Sequence, residues 1–334
     1  MKVIAVDDMS GGFKSNIPDG VTFVRGDLKD AQFVDHLFKE YKFDYVYHLA
    51  AYAAEGLSHF IRTYNYRNNL VATVSLINAA VKSGTVKCFV FTSSIAVYGA
   101  GQVPFDESTV PIPEDPYGVS KYASELDLRA ARDMFGLDFI VVRPHNVYGP
   151  GQNMFDKYRN VIGIFLNQLS QGKSLTIFGD GLQTRKFSYV DDVARPLAQM
   201  ALAPWAYNQV FNVGADTPYT VNHLAEVTKD AWGSPEVEVK HLDARLEVEN
   251  AESKHTKLKC FFPHLPPPVG LGEGMGRMVK WAKEQGVNFA PVEFKSVEVL
   301  KNMPPSWVTP SMTEVPAVEH TADDKAELDQ KLGV

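Results

Sequence analysis

The sequence predicts an α/β fold in which helices cover both faces of a doubly wound parallel sheet. Short apolar runs without strict alternation are typical of strands buried on both faces, and in the first half of the chain they alternate with segments of helical periodicity. That order of elements is typical of parallel sheets. With 334 residues, the chain can bury a large core, as one unit or as two packed domains.

Strands and helices alternate from the start of the chain. Each of the two longest helical segments is followed closely by a glycine, Gly84 or Gly136, which readily takes the left-handed conformation that ends a helix. The predicted strands of this half cover residues 3–6, 21–24, 45–50, 88–92 and 139–142, and the two predicted long helices cover residues 63–82 and 116–135.

The pattern changes after Pro150-Gly151, where the regular alternation ends. From Lys301 onward the chain is rich in Pro, Glu and Asp with little periodicity, so we expect a loosely held tail. The predicted organisation is a first domain over residues 1–150, a second region over 151–300 and a flexible tail over 301–334. In the second region we predict helices over 158–169, 190–202, 221–232 and 276–283, and strands over 175–178 and 210–213.

Composition narrows the classes of partner and compartment. The net charge of −7 disfavours nonspecific binding to nucleic acid or to acidic membranes. No apolar run approaches the roughly 18 residues of a membrane span. The two cysteines, Cys88 and Cys260, lack the spacing of a metal site or a disulfide framework, which predicts a reducing, cytoplasmic location.

Tyr117 and Lys121 lie four positions apart in the second long helix, which places them on one face. A phenol with its ordinary pKa near 10 is a poor base at pH 7. Lowering that pKa by about three units, worth roughly 4 kcal/mol, is within reach of a nearby ammonium and a cationic cofactor together. The spacing alone is weak, because 14 tyrosines yield about one such pair by chance.

The preceding strand supplies the context for this pair. Residues 88–92 are followed by Ser93 and Ser94, and hydroxyls at the carboxyl end of a parallel strand lie where doubly wound sheets place their ligands. A serine there can bind the reacting oxygen and share its proton with the tyrosine. Capping of the strand end is the structural alternative. We predict a catalytic group formed by Tyr117, Lys121 and a serine hydroxyl at this strand end.

These motifs, with others in the same order over residues 2–285, resemble the extended short-chain dehydrogenase/reductase family. Within it, the NAD-dependent epimerase/dehydratase type, and UDP-glucose 4-epimerase-like proteins in particular, are most similar. Ser94, Tyr117 and Lys121 fall on the family's catalytic positions. The resemblance implies a Rossmann-like first domain that binds NAD, and a smaller α/β region that binds a nucleotide sugar such as a UDP-sugar.

The resemblance also implies cofactor contacts in the first domain. Asp7 and Asp8 match the acidic end of the family's second strand, where a carboxylate binds the adenosine ribose and favours NAD over NADP. Structural alternatives exist, since Asp7 and Asp27 also fit turns and Asn69 fits a polar helix position. The implied cofactor-binding residues are Asp7, Asp8, Asp27, Leu28, Leu49, Ala50, Ala51, Asn69, Tyr117, Lys121 and Pro144.

Substrate contacts are implied mainly in the second region. Arg185 corresponds to the family's diphosphate-binding arginine, and a guanidinium suits bidentate phosphate contacts. Arg245 resembles a second such arginine, and a surface ion pair is the alternative for it. His145 is expected to have a structural role. The nine histidines show no His-x-x-His pattern, so no metal site is predicted. The implied substrate-binding residues are Ser94, Asn146, Asn160, Phe178, Arg185 and Arg245.

One family motif has no counterpart. The Gly-x-x-Gly-x-x-Gly loop, which presents backbone N–H groups to the cofactor's pyrophosphate, is absent before Val3. We expect that about 30 residues, including a central strand, precede this sequence in the complete protein. Losing a central strand would cost about as much as a whole domain's stability of 5–15 kcal/mol. The alternative is an evolved loss of cofactor binding.

Ile95 and Ala96 narrow the choice among the activities that the family contains. In the family, 4,6-dehydratases carry an Asp-Glu pair before Val-Tyr-Gly and decarboxylases carry a Glu there, whereas these two apolar residues cannot transfer protons. The resemblance therefore implies redox epimerisation through a transient 4-keto sugar, with UDP-glucose and UDP-galactose as the leading pair. A related reductase or epimerase, or a catalytically impaired binding protein, are the alternatives. A homodimer is implied through the long helices, about residues 58–83 and 116–135.

Overall fold

The structure is a computed structural model, and it describes residues 1–101, 103–245, 248, 250–286, 294, 297–309 and 312. Among the described helices, none combines the length and the apolar composition that crossing a bilayer requires. The strands are β1 (Ile4–Asp7), β2 (Thr22–Arg25), β3 (Tyr45–His48), β4 (Cys88–Thr92), β5 (Phe139–Pro144), β6 (Val147–Tyr148), β7 (Leu175–Phe178), β8 (Thr184–Lys186), β9 (Ser188–Tyr189), β10 (Gln209–Val213), β11 (Pro218–Thr220), β12 (Val239–Leu242) and β13 (Asn250–Ala251). The α-helices are α1 (Ala31–Tyr41), α2 (Glu55–Ser58), α3 (Arg62–Tyr66), α4 (Ala72–Ser83), α5 (Pro116–Phe135), α6 (Val161–Ser170), α7 (Val190–Met200), α8 (Val221–Trp232), α9 (Thr256–Phe261) and α10 (Leu271–Glu284).

A four-stranded parallel sheet, in the order β10-β5-β4-β3, forms the centre of the fold. Strands β1 and β2 form a separate parallel pair, in which Val6 lies opposite Val24. Within the described residues, no backbone hydrogen bond joins this pair to the four-stranded sheet. The predicted α/β class with a parallel sheet is confirmed, and the strand expected ahead of β1 stays a prediction.

Strand β4 shows why the strands of this sheet lack polar alternation. Its side chains point alternately to two faces, and both faces are covered. Phe89 and Phe91 pack with residues of α1, α4 and α5, whereas Cys88 and Val90 pack with residues of α7 and α9. Cys88 is therefore a buried thiol, as its apolar surroundings in the sequence indicate.

The predicted division at residue 150 does not follow the sheet. Strand β10 pairs with β5, and α7 and α9 cover the face of the sheet that carries Val90. These three elements therefore complete the first domain, although they come from the second half of the chain. Separation by sequence position fails because parallel strands pair through long crossover connections. A second core, around Phe165, Leu175, Leu224 and Met278, joins α6, β7, α8 and α10.

The start of the predicted tail is packed rather than loose. Met303 and Trp307 are buried against Leu57, which lies in α2, and Ile61, which follows that helix. These two side chains give an otherwise polar segment enough apolar surface to fix it to the fold. The expectation of a flexible tail is therefore wrong for residues 301–309, and most of 310–334 lies outside the described residues.

A buried ion pair joins α5 to the sheet. Glu125 and Arg143 form two parallel hydrogen bonds, with Nε–Oε1 at 2.9 Å and Nη2–Oε2 at 2.5 Å, and both side chains are almost wholly buried. Ser93 Oγ donates to the same carboxylate at 2.5 Å, and Arg143 Nη1 donates to the Tyr98 hydroxyl at 2.8 Å. Because β4, α5 and β5 each contribute to it, this cluster fixes the rotation of α5 relative to the strand ends.

We expect Glu125→Gln to lower the free energy of unfolding by about 3–5 kcal/mol, because it leaves the Arg143 guanidinium buried without its countercharge. Urea unfolding at pH 7 measures this loss. The control is Asp133→Asn, which removes the exposed partner of Arg132 on the same helix and should change stability by less than about 1 kcal/mol. Similar losses in the two variants would contradict a structural role for the buried pair.

Candidate active site

The N-terminal turn of α5 brings Tyr117 to the end of strand β4. Asp115 caps the helix by accepting a hydrogen bond from Gly118 N at 2.9 Å, and Ser58 Oγ accepts one from Tyr117 N at 3.2 Å. Position 118 lies so close to the loop after β4 that a Cβ atom would meet Ala96 O at 2.6 Å. Glycine at 118 is therefore what allows the helix to approach the loop that follows Ser94.

Ser94, Tyr117 and Lys121 come together as predicted. The Ser94 side chain forms a hydrogen bond with the phenol of Tyr117, and its Oγ also accepts from Ala96 N at 3.1 Å. Lys121 Nζ donates to Thr92 O at 2.8 Å and lies 5.8 Å from the centroid of the Tyr117 ring. The ammonium is thus next to the aromatic ring but directed at a carbonyl at the strand end.

Burial dominates the electrostatics of this group. It raises the pKa of Tyr117, although the hydrogen bond with Ser94 lowers that pKa in part. It also lowers the pKa of Lys121 to about 7, against the opposing charge of Glu125. The expected lowering of the tyrosine pKa by the nearby ammonium is therefore not found in the protein alone. Of the two expected causes of a lower tyrosine pKa, the positive charge of a bound cofactor is the one that remains.

The group lines a cavity of about 1450 Å³ between the sheet and the second core. Most of the predicted site residues are in its wall, from both halves of the chain. They are Leu49, Ala51, Ser94, Tyr117, Lys121, Pro144, Asn146, Asn160, Phe178, Arg185 and Arg245. Thr92 also lines the cavity, and its buried hydroxyl has no hydrogen-bond partner among the described residues.

The predicted acidic residues lie at the carboxyl ends of β1 and β2, outside the cavity wall. One oxygen of each carboxylate is used by a local turn. Asp7 accepts from Met9 N at 2.7 Å, Asp8 from Ser10 N at 2.8 Å and Asp27 from Lys29 N at 2.9 Å. These hydrogen bonds agree with the turn-forming alternative for Asp7 and Asp27, and the second oxygen of Asp7 is directed toward Gly12.

Leu28 and Ala50 do not line the cavity, although both were predicted to contact the cofactor. Leu28 packs against the core around Val34 and Phe38 of α1, so its side chain is not part of the cavity wall. Ala50 is exposed between Leu49 and Ala51, both of which do line the cavity.

Asn69 has a structural role in place of the predicted cofactor contact. It is 1% exposed, and its amide accepts from Tyr52 N at 2.8 Å and donates to Tyr52 O at 3.1 Å. It lies in a π-helical turn, Arg67–Val71, between α3 and α4. Because the amide is committed to the backbone that follows Ala51, Asn69 positions the cavity wall without facing the cavity.

The polar residues that were predicted to bind substrate are partly held by backbone groups. Asn146, in the left-handed region with φ 39°, donates to Lys186 O at 3.3 Å, and Asn160 caps α6 by accepting from Ile162 N at 3.0 Å. Arg185 donates to the carbonyls of Thr184 and Val248. These contacts fix the side chains in place at the edge of the cavity.

His145 lies behind the cavity, as its predicted structural role requires. Its Nδ1 is 2.9 Å from Lys186 O, and its Nε2 is 2.9 Å from Nε2 of His255. Burial lowers the pKa of His145 to about 3, so the ring is neutral at pH 7. The imidazole thereby holds the chain segment between Pro144 and Asn146.

Two features of the site were not predicted. Glu125 lies one helical turn beyond Lys121 on the same face of α5, and this spacing is a signal that could have pointed to it. Trp307 enters the cavity wall from the segment expected to be flexible, and Gly56 packs against it. No local pattern in the sequence connects Trp307 with Gly56, because the two residues are far apart in the chain.

Comparisons with known proteins identify a family that matches the chain, and relatives that are similar in sequence and in structure. A family model described as "NAD dependent epimerase/dehydratase family" matches residues 1–214. The UDP-glucose 4-epimerase of Mycolicibacterium smegmatis is 30% identical over 289 residues, which are 85% of this chain and 91% of that protein. A solved UDP-glucose 4-epimerase of Thermotoga maritima, with UDP-glucose, has a TM-score of 0.78 at 31% identity and covers 85% of this chain and 91% of its own. One from Thermus thermophilus, in complex with NAD, has a TM-score of 0.77 at 29% identity and covers 84% and 91%.

The buried lysine makes a prediction about stability. Between pH 7 and pH 9 the unfolded chain, in which a lysine pKa is about 10.4, binds more protons than the folded chain does at Lys121. The free energy of unfolding should therefore rise over this range, by about 2 kcal/mol from this group. Lys121→Met should remove that part of the rise, as measured by urea unfolding without added cofactor.

The control for this prediction is Lys82→Met, which replaces an exposed lysine of α4. It should keep the pH dependence of the wild-type protein. If Lys121→Met keeps the same slope as the wild type, then Lys121 is charged in the folded protein throughout this range, and the effect ascribed to its burial is wrong.

Proposed function

The chain belongs to the NAD-dependent epimerase/dehydratase family, and we propose that it epimerises a nucleotide sugar, with UDP-glucose and UDP-galactose as the leading pair. The observation that carries this proposal is that Ser94, Tyr117 and Lys121 line the same cavity as Phe178 and Arg185. Aromatic and guanidinium groups suit a nucleotide base and a diphosphate. The names of the similar proteins support the same substrate class.

NAD fits the residues of the sheet's carboxyl edge. The unpartnered hydroxyl of Thr92 lies at that edge, where a ligand can satisfy it. We assign the ribose hydroxyls of the adenosine to Asp7 and Asp8, at the carboxyl end of β1 in the separate strand pair, and the ribose beside the nicotinamide to Lys121. The chemistry that NAD would supply at this site is reversible hydride transfer. Leu49, Ala51 and Pro144 form the apolar wall on this side.

Proton transfer falls to Tyr117. Its phenolate oxygen takes the proton of the sugar's 4-hydroxyl, and the hydrogen bond with Ser94 holds the phenol in line with the reacting oxygen. Tyr117 returns the proton to the same oxygen after the 4-keto sugar has turned its other face to the cofactor. A neighbouring positive charge lowers a tyrosine pKa, so bound NAD and Lys121 would oppose the effect of burial.

The loop after Ser94 supports epimerisation over loss of water. Ile95 is buried, and Ala96 contributes backbone contacts to Ser94 and to the start of α5. Neither side chain can donate or accept a proton, whereas elimination of water from the sugar requires an acid and a base. Tyr117 with Ser94 is sufficient for the proton movements of epimerisation.

Helix α5 carries the surface that we assign to a homodimer. Its outer face exposes a stripe of Val119, Leu126, Ala130 and Met134 at helical spacing, and Val71 lies exposed at the start of the neighbouring α4. A second copy related by a two-fold axis would cover this stripe with its own copy of the stripe.

Cys88 and Cys260 are both free thiols, which supports the proposed cytoplasmic location.

The proton-transfer role predicts the behaviour of Tyr117→Phe. Its conversion of UDP-galactose to UDP-glucose should fall by about 100- to 10,000-fold, because the proton acceptor is lost. The NAD released on denaturation of the purified protein and the Kd for UDP should both stay within twofold of wild type. Tyr122→Phe, on the same helix, is the control and should retain turnover.

Wild-type turnover in Tyr117→Phe would show that another group moves the proton. A wild-type protein that neither carries nor takes up NAD would contradict the enzymatic proposal itself. That result would favour the alternative of a catalytically impaired binding protein.

The dimer assignment predicts that Leu126→Asp yields a monomer in sedimentation velocity while the wild type sediments as a dimer. The charge would lie in the middle of the apolar stripe, where its burial in the interface is unfavourable. Leu202→Asp, at an exposed leucine after α7, is the control and should leave the dimer intact. A wild-type protein that sediments only as a monomer would contradict the assignment.

A further inference from the structure

The segment 297–309, which we call the C-terminal strap, is fixed across the start of α3. The backbone N–H groups of Glu298 and Val299 donate to Phe60 O at 2.8 and 3.2 Å. The Glu298 carboxylate accepts from Thr63 N and Tyr64 N at 2.8 Å each. The strap is thus held by backbone pairing and by two charge-assisted hydrogen bonds, and not by apolar contact alone.

From this anchor, the strap places Trp307 in the wall of the substrate cavity. The indole is 5% exposed and packs edge-on against Tyr158 and Phe178, at centroid distances of 5.3 and 6.1 Å. A Cβ atom at Gly56 would lie 3.3 Å from the indole, so a side chain there would displace it. The position of Trp307 is therefore set from three sides.

The indole also contacts Arg245, one of the three arginines that line the cavity. The guanidinium carbon of Arg245 is 5.4 Å from the Trp307 ring centroid and 4.7 Å from that of Phe178. A cation over an aromatic face is attracted by the ring's quadrupole, and more strongly where water is excluded. Two rings together hold the guanidinium in one orientation at the edge of the cavity.

We propose that Trp307 is a positioning residue for the nucleoside diphosphate, which acts by holding the Arg245 guanidinium where the diphosphate binds. This inference rests on the proposed function, in which Phe178, Arg185 and Arg245 form the nucleotide subsite. An unrestrained arginine loses side-chain entropy when it closes on a phosphate, and a guanidinium already fixed by its neighbours has less to lose. The strap therefore contributes affinity without touching the reacting sugar.

A double-mutant cycle in the full chain tests this, with UDP as the probe and calorimetry as the measurement. Trp307→Ala should raise the Kd for UDP about tenfold, and should raise KM for the UDP-sugar with kcat unchanged. Trp307→Phe should restore most of the affinity, because a phenyl ring keeps an aromatic face. In the Arg245→Ala background, Trp307→Ala should cost no further affinity.

Two variants separate this role from a general effect on the fold. Glu298→Gln leaves the indole in place but weakens the anchor of the strap, so it should raise the Kd for UDP in the same direction by a smaller factor. Trp205→Ala removes an exposed indole, 66% accessible, from a loop after α7 and should leave the Kd unchanged.

Several outcomes would overturn the inference. Additive losses in the cycle would show that Trp307 acts independently of Arg245, and unchanged or tighter binding by Trp307→Ala would show that the strap does not assist the nucleotide. If Arg245→Ala weakens UDP binding and Trp307→Ala does not, the strap inference alone fails. If the wild-type protein binds no UDP, the nucleotide subsite of the proposed function fails with it.

Discussion

The buried ion pair between Glu125 and Arg143 is the contact on which the geometry of the site depends. Two charges removed from water are costly, and their attraction offsets that cost only with good geometry and further hydrogen bonds. Here Ser93 and Tyr98 supply those bonds, so the cluster has one arrangement that satisfies its groups. That arrangement fixes α5 in rotation and height against the ends of β4 and β5.

The proposed catalytic group takes its position from this cluster. Tyr117 and Lys121 lie on the same face of α5 as Glu125, and Ser94 directly follows Ser93. A slide of α5 by one residue would turn both side chains away from the strand end, because each residue of a helix is rotated by about 100° from the last. The same burial that fixes the group disfavours the charged forms of Tyr117 and Lys121. Local stability is thereby given up for a preorganised site.

The cavity is assembled from parts of the chain that are far apart in sequence. The sheet supplies Ser94 and Pro144, the second core supplies Phe178 and Arg185, and the strap supplies Trp307. The 84–85% of this chain that the similar structures cover leaves part of it without a counterpart in them.

Local signals in the sequence determined the elements and the catalytic group. Helix α5 covers the predicted residues 116–135 and ends at Gly136 as expected, because caps and periodicity act within a few residues. The spacing of Tyr117 and Lys121, taken together with the hydroxyls that follow the apolar strand β4, pointed to the group. The parallel sheet follows from apolar runs that are covered on both faces.

Only the tertiary structure decided which polar residues face the cavity and which support it. Asn69 was predicted to contact the cofactor, yet its amide holds the backbone of Tyr52, since a buried amide binds whichever backbone groups the fold brings near. The position of β10 beside β5 and the contact of Trp307 with Arg245 likewise depend on long-range packing. Spacing in a sequence cannot encode such contacts, because they depend on where distant segments meet in three dimensions.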